Sequence, residues 1–245
     1  MTPPEAATAG DSPAESEPRD FVKYTFLGLR PEWRRLPAAV REDGKRRLVA
    51  LLESPPEGLL LRTYALTGLK ARAEILVWAI GERLEPIQEL HARLFGTPLG
   101  GYLETAYSYL GMARRSEYLG EHAHGGEGSS GRRRSFDAPY LFVYPFVKKR
   151  EWYGLPFEER RRIMGEHFRI GHRYPGVQIH TGYSFGIDDM EFILAFETDS
   201  PAAFLDLVND LRPTEASRYT ALETPIFTCV RASARRAVDL AEGLP

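Results

Sequence analysis

The chain of 245 residues has one cysteine, no long apolar run and almost no net charge, −2 at pH 7. A single cysteine excludes a disulfide framework and any zinc or iron–sulfur site that needs several cysteines. Without a long apolar run there is no transmembrane helix, and near-balanced charge argues against nucleic acid as the main partner. The N-terminus is acidic and not apolar, unlike a signal or transit peptide. We expect a soluble, cytoplasmic protein with a small-molecule ligand and no membrane span.

What is present is enough to bury a core, since apolar residues make up 43% of the chain and charged residues 27%. Residues 1–19 are rich in Pro, Ala, Glu and Ser, which predicts a disordered tail. Residues 114–137 contain several glycines followed by three arginines, which predicts a flexible Gly/Arg-rich loop. The remaining sequence is thereby divided into two units, residues 20–113 and 138–245.

The two units predict the same order of elements. Strand-like runs and helical periods give a strand, a helix, two strands, a helix and a strand in each. This β-α-β-β-α-β order is the ferredoxin-like motif, and each unit has an open sheet face that must be covered. We therefore predict an α+β fold in which two fused ferredoxin-like units cover each other as a dimeric α+β barrel-type pair. The predicted strands are 21–27, 59–66, 74–80, 102–112, 140–147, 177–185, 191–197 and 226–230, and the predicted helices are 31–52, 85–95, 156–168 and 201–211.

Short motifs leave few candidates for chemistry. Residues 126–131 match a dinucleotide-binding motif by letter, but no strand precedes them and no apolar helix follows. Residues 182–186 match G-x-S-x-G, but a turn and a strand follow where a nucleophile elbow needs a helix. The pair Asp188 and Asp189 predicts either a turn or an acid–base pair. His180 lies inside a strand-like run, as either a buried core histidine or a ligand.

Aromatic and cationic residues stand together after the strand at 140–147. Trp152 and Tyr153 follow Lys148, Lys149 and Arg150 directly. Rings beside clustered cations suit a flat, apolar ligand that carries carboxylates, because the rings pack its face and the cations meet its acid groups. The alternative is a solvated charge cluster.

From Tyr140 onward the sequence carries a recognisable series of motifs: YPFVKKREWYGL, EERRRIMGEH, His180 followed by GIDDMEF, and LRPTEASRYT. These motifs resemble the chlorite dismutase-like haem-protein superfamily, and most closely its coproheme decarboxylase branch, also called hydrogen-peroxide-dependent haem synthase. The resemblance extends from Phe21 to the C-terminal strand, although the first half matches mainly by element order. It implies two fused ferredoxin-like units and a homo-oligomer, often a pentamer.

The resemblance also implies a reaction and two central residues. The substrate would be iron-coproporphyrin III (coproheme), which also serves as the redox cofactor, and hydrogen peroxide would be the oxidant. Two propionates would lose CO₂ to give the vinyl groups of haem b. His180 would be the axial ligand of the iron, with an unidentified acceptor for its second ring nitrogen. Tyr153 would relay the oxidising equivalent as a radical, and its alternative role is packing beside Trp152.

The resemblance places the pocket in the second unit and leaves the first as scaffold and oligomer surface. The four substrate carboxylates need cations or hydroxyls, and Arg150 and Arg218 are candidates for these contacts. A larger set of residues is predicted to bind the substrate. Those residues are Trp152, Leu155, Phe157, Ile193, Lys148, Lys149, Arg212 and Ser217.

Ile193 marks a departure from the chlorite dismutases. It stands thirteen residues after His180. By the resemblance, chlorite dismutases have a distal arginine at this position. We therefore expect weak or absent dismutase activity. The alternatives to a decarboxylase are a chlorite dismutase or weak haem peroxidase, a non-catalytic haem-binding sensor or carrier, and a cofactor-free α+β barrel. Fold alone does not separate them.

Overall fold

The computed structural model describes residues 19–113 and 137–244. The predicted disordered tail and the predicted flexible loop therefore lie, apart from one residue each, outside the described residues. Within the described ranges, no helix is long and apolar enough to span a membrane.

The described residues form nine strands and six α-helices, together with short 3-10 helices at Pro31–Arg35, Gly100–Tyr102 and Glu215–Tyr219. The strands are β1 Phe21–Leu29, β2 Leu59–Ala65, β3 Ile75–Gly81, β4 Leu103–Ala113, β5 Tyr140–Lys148, β6 Val177–Tyr183, β7 Phe192–Thr198, β8 Thr220–Leu222 and β9 Phe227–Arg231. The helices are α1 Ala38–Glu53, α2 Leu84–Phe95, α3 Arg150–Gly154, α4 Phe157–Gly171, α5 Pro201–Leu211 and α6 Ala234–Glu242.

The sheet confirms the prediction of two fused ferredoxin-like units. The first half has the antiparallel order β4-β1-β3-β2, and the second has β6-β7-β5-β9. Two short seams join the halves: β4 meets β6 at Met112 and Ala113, and β2 meets β9 at Tyr64 and Ala65. The eight strands thereby close into a ring, while β8 extends the end of β5.

Three features differ from the predicted elements, each for a physical reason. The predicted helix 31–52 is divided into a 3-10 turn and α1, because Pro37 precedes α1 and a proline inside a helix removes a hydrogen bond. Helix α3 has only five residues, too few for a helical period. Helix α6 buries mainly alanines, which give a weak apolar pattern in the sequence.

The inside of the ring is a core built from both halves, because alternate side chains of each strand point inward. Tyr24 stacks on Trp78 with ring centroids 5.2 Å apart. Phe26 stacks on Phe227 of β9 at 3.8 Å. Ile193 of β7 belongs to the same cluster and is fully buried. Each sheet thus covers the open face of the other.

Helix α6 packs on the first half of the chain, although the predicted boundaries placed residues 138–245 together. Val238 joins Leu48 and Leu52 of α1 in the first-half core, with three alanines of α6 beside it. At the end of α6, the buried Glu242 carboxylate accepts from Lys45 Nζ at 2.7 Å. The first half is therefore completed by the last helix of the chain.

A charge placed in this contact is expected to be costly. Val238 is 1% exposed, so Val238→Asp buries an unpaired carboxylate and should lower the free energy of unfolding by about 3 kcal/mol or more. Leu244→Asp is the matched control, since Leu244 is 56% exposed and the change should cost under about 0.5 kcal/mol. Chemical denaturation of both variants measures the difference. Equal losses would contradict the docking of α6.

Candidate functional site

The outer, helix-facing surface of the second sheet is apolar and only partly covered. At one end Phe142 stacks on Phe204 of α5, with ring centroids 4.0 Å apart. At the other end Phe146, Ile179 and Leu194 are only partly buried. Helix α4 makes its main contacts with α5 and the 215–219 turn rather than with the strands. The space between α4 and this end of the sheet is our candidate site.

His167 lies on the face of α4 that carries Ile163 and Ile170. Ile163 packs with Trp152, and Ile170 packs against the outer surface of the sheet, so His167 faces this space. Desolvation by the surrounding protein, together with the positive charge of Lys148, lowers the pKa of its imidazole to about 4. The ring is therefore neutral at pH 7, which is the form that binds metals. His167 was not among the ligands predicted from the sequence, although it closes the motif EERRRIMGEH.

Lys148, at the end of β5, lies on the same surface. Its Nζ stands 4.4 Å from the centre of the Trp152 ring and 5.3 Å from that of Phe146. Burial lowers the pKa of Lys148 to about 8, while the Glu191 carboxylate acts in the opposite direction. The structure thus brings together two predicted binding residues, Lys148 and Trp152, and Leu155 packs in the same small cluster as Trp152.

Glu191 joins two parts of this region. Its Oε2 accepts a hydrogen bond from the Lys148 backbone N–H at 2.7 Å and another from the Tyr153 hydroxyl at 2.6 Å. The Tyr153 ring meets Phe185 edge to face at 6.1 Å. Tyr153, the predicted catalytic residue, therefore lies near Lys148. It is held by the Glu191 carboxylate, for which no role was predicted from the sequence.

Tyr144 is a second phenol on the helix-facing surface, four residues before Lys148 on β5. Its ring stacks on Phe196 at 5.9 Å. Burial raises the pKa of its hydroxyl, as does Glu223, while Arg212 lowers it. Among the residues that the structure describes, the hydroxyl has no hydrogen-bond partner. Arg212, a predicted carboxylate ligand, forms an ion pair with Glu223.

His180 lies on the opposite face of the sheet, inside the ring. Its Nε2 is 2.7 Å from Glu197 Oε2, and its ring centre is 5.5 Å from that of Trp78. It is 7% exposed, and Ile193 also points into the ring. Neither residue therefore reaches the surface that carries Lys148. The geometry is that of the alternative kept open from the sequence, a buried core histidine, with one ring nitrogen hydrogen-bonded to Glu197.

The remaining predicted binding residues lie around the edge of the site. Phe157, at the start of α4, is 42% exposed. Lys149 is exposed, and its backbone N–H donates to Tyr219 O at 2.7 Å. Ser217 is partly exposed in the 215–219 turn.

Asp188 is engaged in structure rather than in acid–base chemistry. Its Oδ2 accepts from the Leu110 backbone N–H of β4 at 2.7 Å, while its Oδ1 accepts from the Asp189 N–H. Gly186 before it has φ +70°, which favours glycine at this turn. The turn interpretation of this pair is therefore supported, and the turn also ties the two halves together.

Fold and site together define a fused pair of ferredoxin-like units, an α+β barrel with a partly open face on its second unit. A family model described as chlorite dismutase matches residues 41–232. The chain belongs to this family, as the motifs from Tyr140 onward predicted. A relative named coproheme decarboxylase, from Mycolicibacterium smegmatis, is 34% identical over 185 residues, which are 75% of this chain and 78% of that protein.

Solved structures show the same fold at low sequence identity. A mutant chlorite dismutase from Candidatus Nitrospira defluvii has a TM-score of 0.83 at 23% identity, with 91% of this chain and 95% of that chain covered. A structure described as a novel heme-binding protein from Thermus thermophilus has a TM-score of 0.80 at 24% identity, with coverage of 92% and 95%.

Proposed function

We propose that the protein is a coproheme decarboxylase, which uses hydrogen peroxide to convert two propionates of iron-coproporphyrin III to vinyl groups. The observation that carries the proposal is the partly open apolar surface of the second sheet, with the Lys148 ammonium group over Phe146 at its edge and the His167 face of α4 opposite. The name of the 34% identical relative supports the choice of reaction within the family.

The residues present fit this substrate. An iron porphyrin is a flat apolar disc with carboxylates at its edge, and the partly buried Phe146, Ile179 and Leu194 offer a matching surface. Lys148 and Arg212 would bind carboxylates. When bound, the iron porphyrin supplies the redox chemistry with peroxide. The protein contributes orientation, an axial imidazole and a site with little water.

Two histidines compete for the axial role. His180, the ligand implied by the resemblance, stays a prediction, but its enclosure in the ring and its bond to Glu197 disfavour it. His167 is favoured because it is neutral, partly exposed and close to Lys148. One protein nitrogen would be sufficient, since the porphyrin itself would supply four nitrogens and the oxidant needs a free position on the iron.

Two phenols compete for the oxidation step. Tyr153, the residue implied by the resemblance, stays a prediction, and its hydroxyl donates a hydrogen bond to Glu191. Tyr144 is supported by its position on the helix-facing surface near Arg212, with a hydroxyl free among the described residues. A homo-oligomer, its pentameric form and a cytoplasmic location also stay predictions.

Mass analysis of the bound porphyrin tests the reaction. Purified protein is loaded with one equivalent of ferric coproporphyrin III, titrated with hydrogen peroxide and sampled after each addition. Each step consumes one peroxide and one propionate, and releases CO₂ and two waters with formation of a vinyl group. We expect two successive mass losses, each equal to CO₂ plus two hydrogen atoms. A porphyrin that binds without any change of mass would instead indicate a haem-binding protein or a peroxidase.

A further inference from the structure

Glu191 is a buried carboxylate at the corner where β5 ends and α3 begins. It is 8% exposed, and one oxygen, Oε2, accepts both the Lys148 backbone N–H and the Tyr153 hydroxyl. The Arg150 guanidinium lies 4.0 Å from the other oxygen, but its side chain is 92% exposed. A buried carboxylate is costly unless its hydrogen bonds are satisfied, so the two donors to Oε2 fix the position of Glu191.

The hydrogen bond from the Lys148 backbone N–H to Glu191 helps to fix the direction in which the Lys148 side chain points. A bulge interrupts the pairing of β5 with β8 between Val147 and Lys148, so the regular ladder does not hold Lys148 alone. The ammonium group lies over the Trp152 ring and 3.5 Å from the Ala216 carbonyl oxygen. Trp152 belongs to α3, whose place beside β5 is set by the Tyr153–Glu191 hydrogen bond.

We propose that Glu191 is a positioning residue, which holds β5 and α3 together so that the Lys148 ammonium group meets a carboxylate of the porphyrin. This inference rests on the proposed porphyrin site. It assigns Glu191 no contact with the substrate. Its effect on binding is therefore expected to pass through Lys148 and to vanish when Lys148 is absent.

A double-mutant cycle tests this dependence. The ligand is metal-free coproporphyrin III, whose affinity is measured by quenching of tryptophan fluorescence and needs no turnover. Glu191→Ala and Lys148→Met should each weaken binding by about tenfold, the effect of one lost charge-assisted contact. The double variant should bind no more weakly than Lys148→Met, because residues that act as a unit are not additive. Glu191→Gln, whose amide oxygen can still accept both hydrogen bonds, should stay within about threefold of the wild type.

Controls keep a structural effect apart from a positioning effect. Glu89→Gln removes an exposed carboxylate that pairs with Arg93 on α2 and should leave affinity unchanged. If Glu191→Ala does not fold, Glu191→Asp replaces it, since its shorter side chain cannot reach both donors. Multiplied losses in the double variant, or full affinity in Glu191→Ala, would overturn the inference. Failure of the wild type to bind coproporphyrin would instead overturn the proposed function.

Discussion

His167→Gln is expected to abolish iron ligation by the protein, whereas His180→Gln is expected to preserve it. The reason is the opposite placement of the two rings, since His167 borders the apolar surface beside Lys148 and His180 is enclosed with Glu197. The glutamine side chain can still donate a hydrogen bond to Glu197, so the buried Glu197 carboxylate should keep its partner in His180→Gln. Turnover with peroxide should fall by at least about 100-fold in His167→Gln only, in keeping with the loss of a metal ligand.

Resonance Raman spectra of the ferrous coproheme complexes identify the ligand directly through the iron–imidazole vibration. Added imidazole should restore this signal in His167→Gly, because removal of the whole side chain leaves space for it. If the signal disappears in His180→Gln and persists in His167→Gln, the ligand implied by the resemblance is the correct one and our structural choice is wrong.

Tyr144→Phe is expected to stop decarboxylation while coproheme still binds, and Tyr153→Phe is expected to slow it by no more than about tenfold. Tyr144 lies on the same strand and surface as Lys148, and the charges of Arg212 and Glu223 act on its hydroxyl. Phenylalanine keeps the stacking on Phe196 and removes only the oxidisable hydroxyl. Loss of a group that acts in the chemical step lowers turnover rather than binding, by about 100-fold or more.

The measurement is the porphyrin mass after a fixed peroxide addition, with the absorption spectrum as the check on binding. Trapping of protein radicals followed by peptide mapping then locates the oxidised residue. If Tyr153→Phe stalls at unmodified coproheme while Tyr144→Phe proceeds, Tyr153 has the role that the resemblance implies.

The fold follows from the sequence because its information is local and repeated. Nearly continuous apolar runs such as residues 140–147 and 191–197 mark strands that bury one face in each of two cores, and the order of such runs is the same in the two halves. The interior of the ring then follows from the need to cover both open sheet faces. The contact between Lys148 and Trp152 was also predictable from the sequence, because the two residues stand four apart in one motif that places cations beside rings.

The face on which a residue lies could not be obtained by counting along the chain. A shift of one residue in a strand moves a side chain to the other side of the sheet. Ile179 faces α4 and α5, but its neighbour His180 faces the ring, so a spacing argument cannot decide which of them borders the ligand. His167 was not selected as a ligand, since His172 is five residues away and off its helix face, and a single helical histidine gives no sign of the sheet opposite it. Glu191 depends on a contact between the start of β7 and the end of β5, which no local pattern reveals.

The position of α6 has a consequence for how the protein is made. A ribosome produces residues 20–113 long before it produces Val238 and the alanines around it, yet these last residues complete the first-half core. A nascent first half therefore keeps an apolar groove on α1 and β2 uncovered until α6 has been synthesised. Folding of the first half is expected to wait for α6 and to need protection of that groove, so a stop codon before α6 should yield a product that chaperones retain.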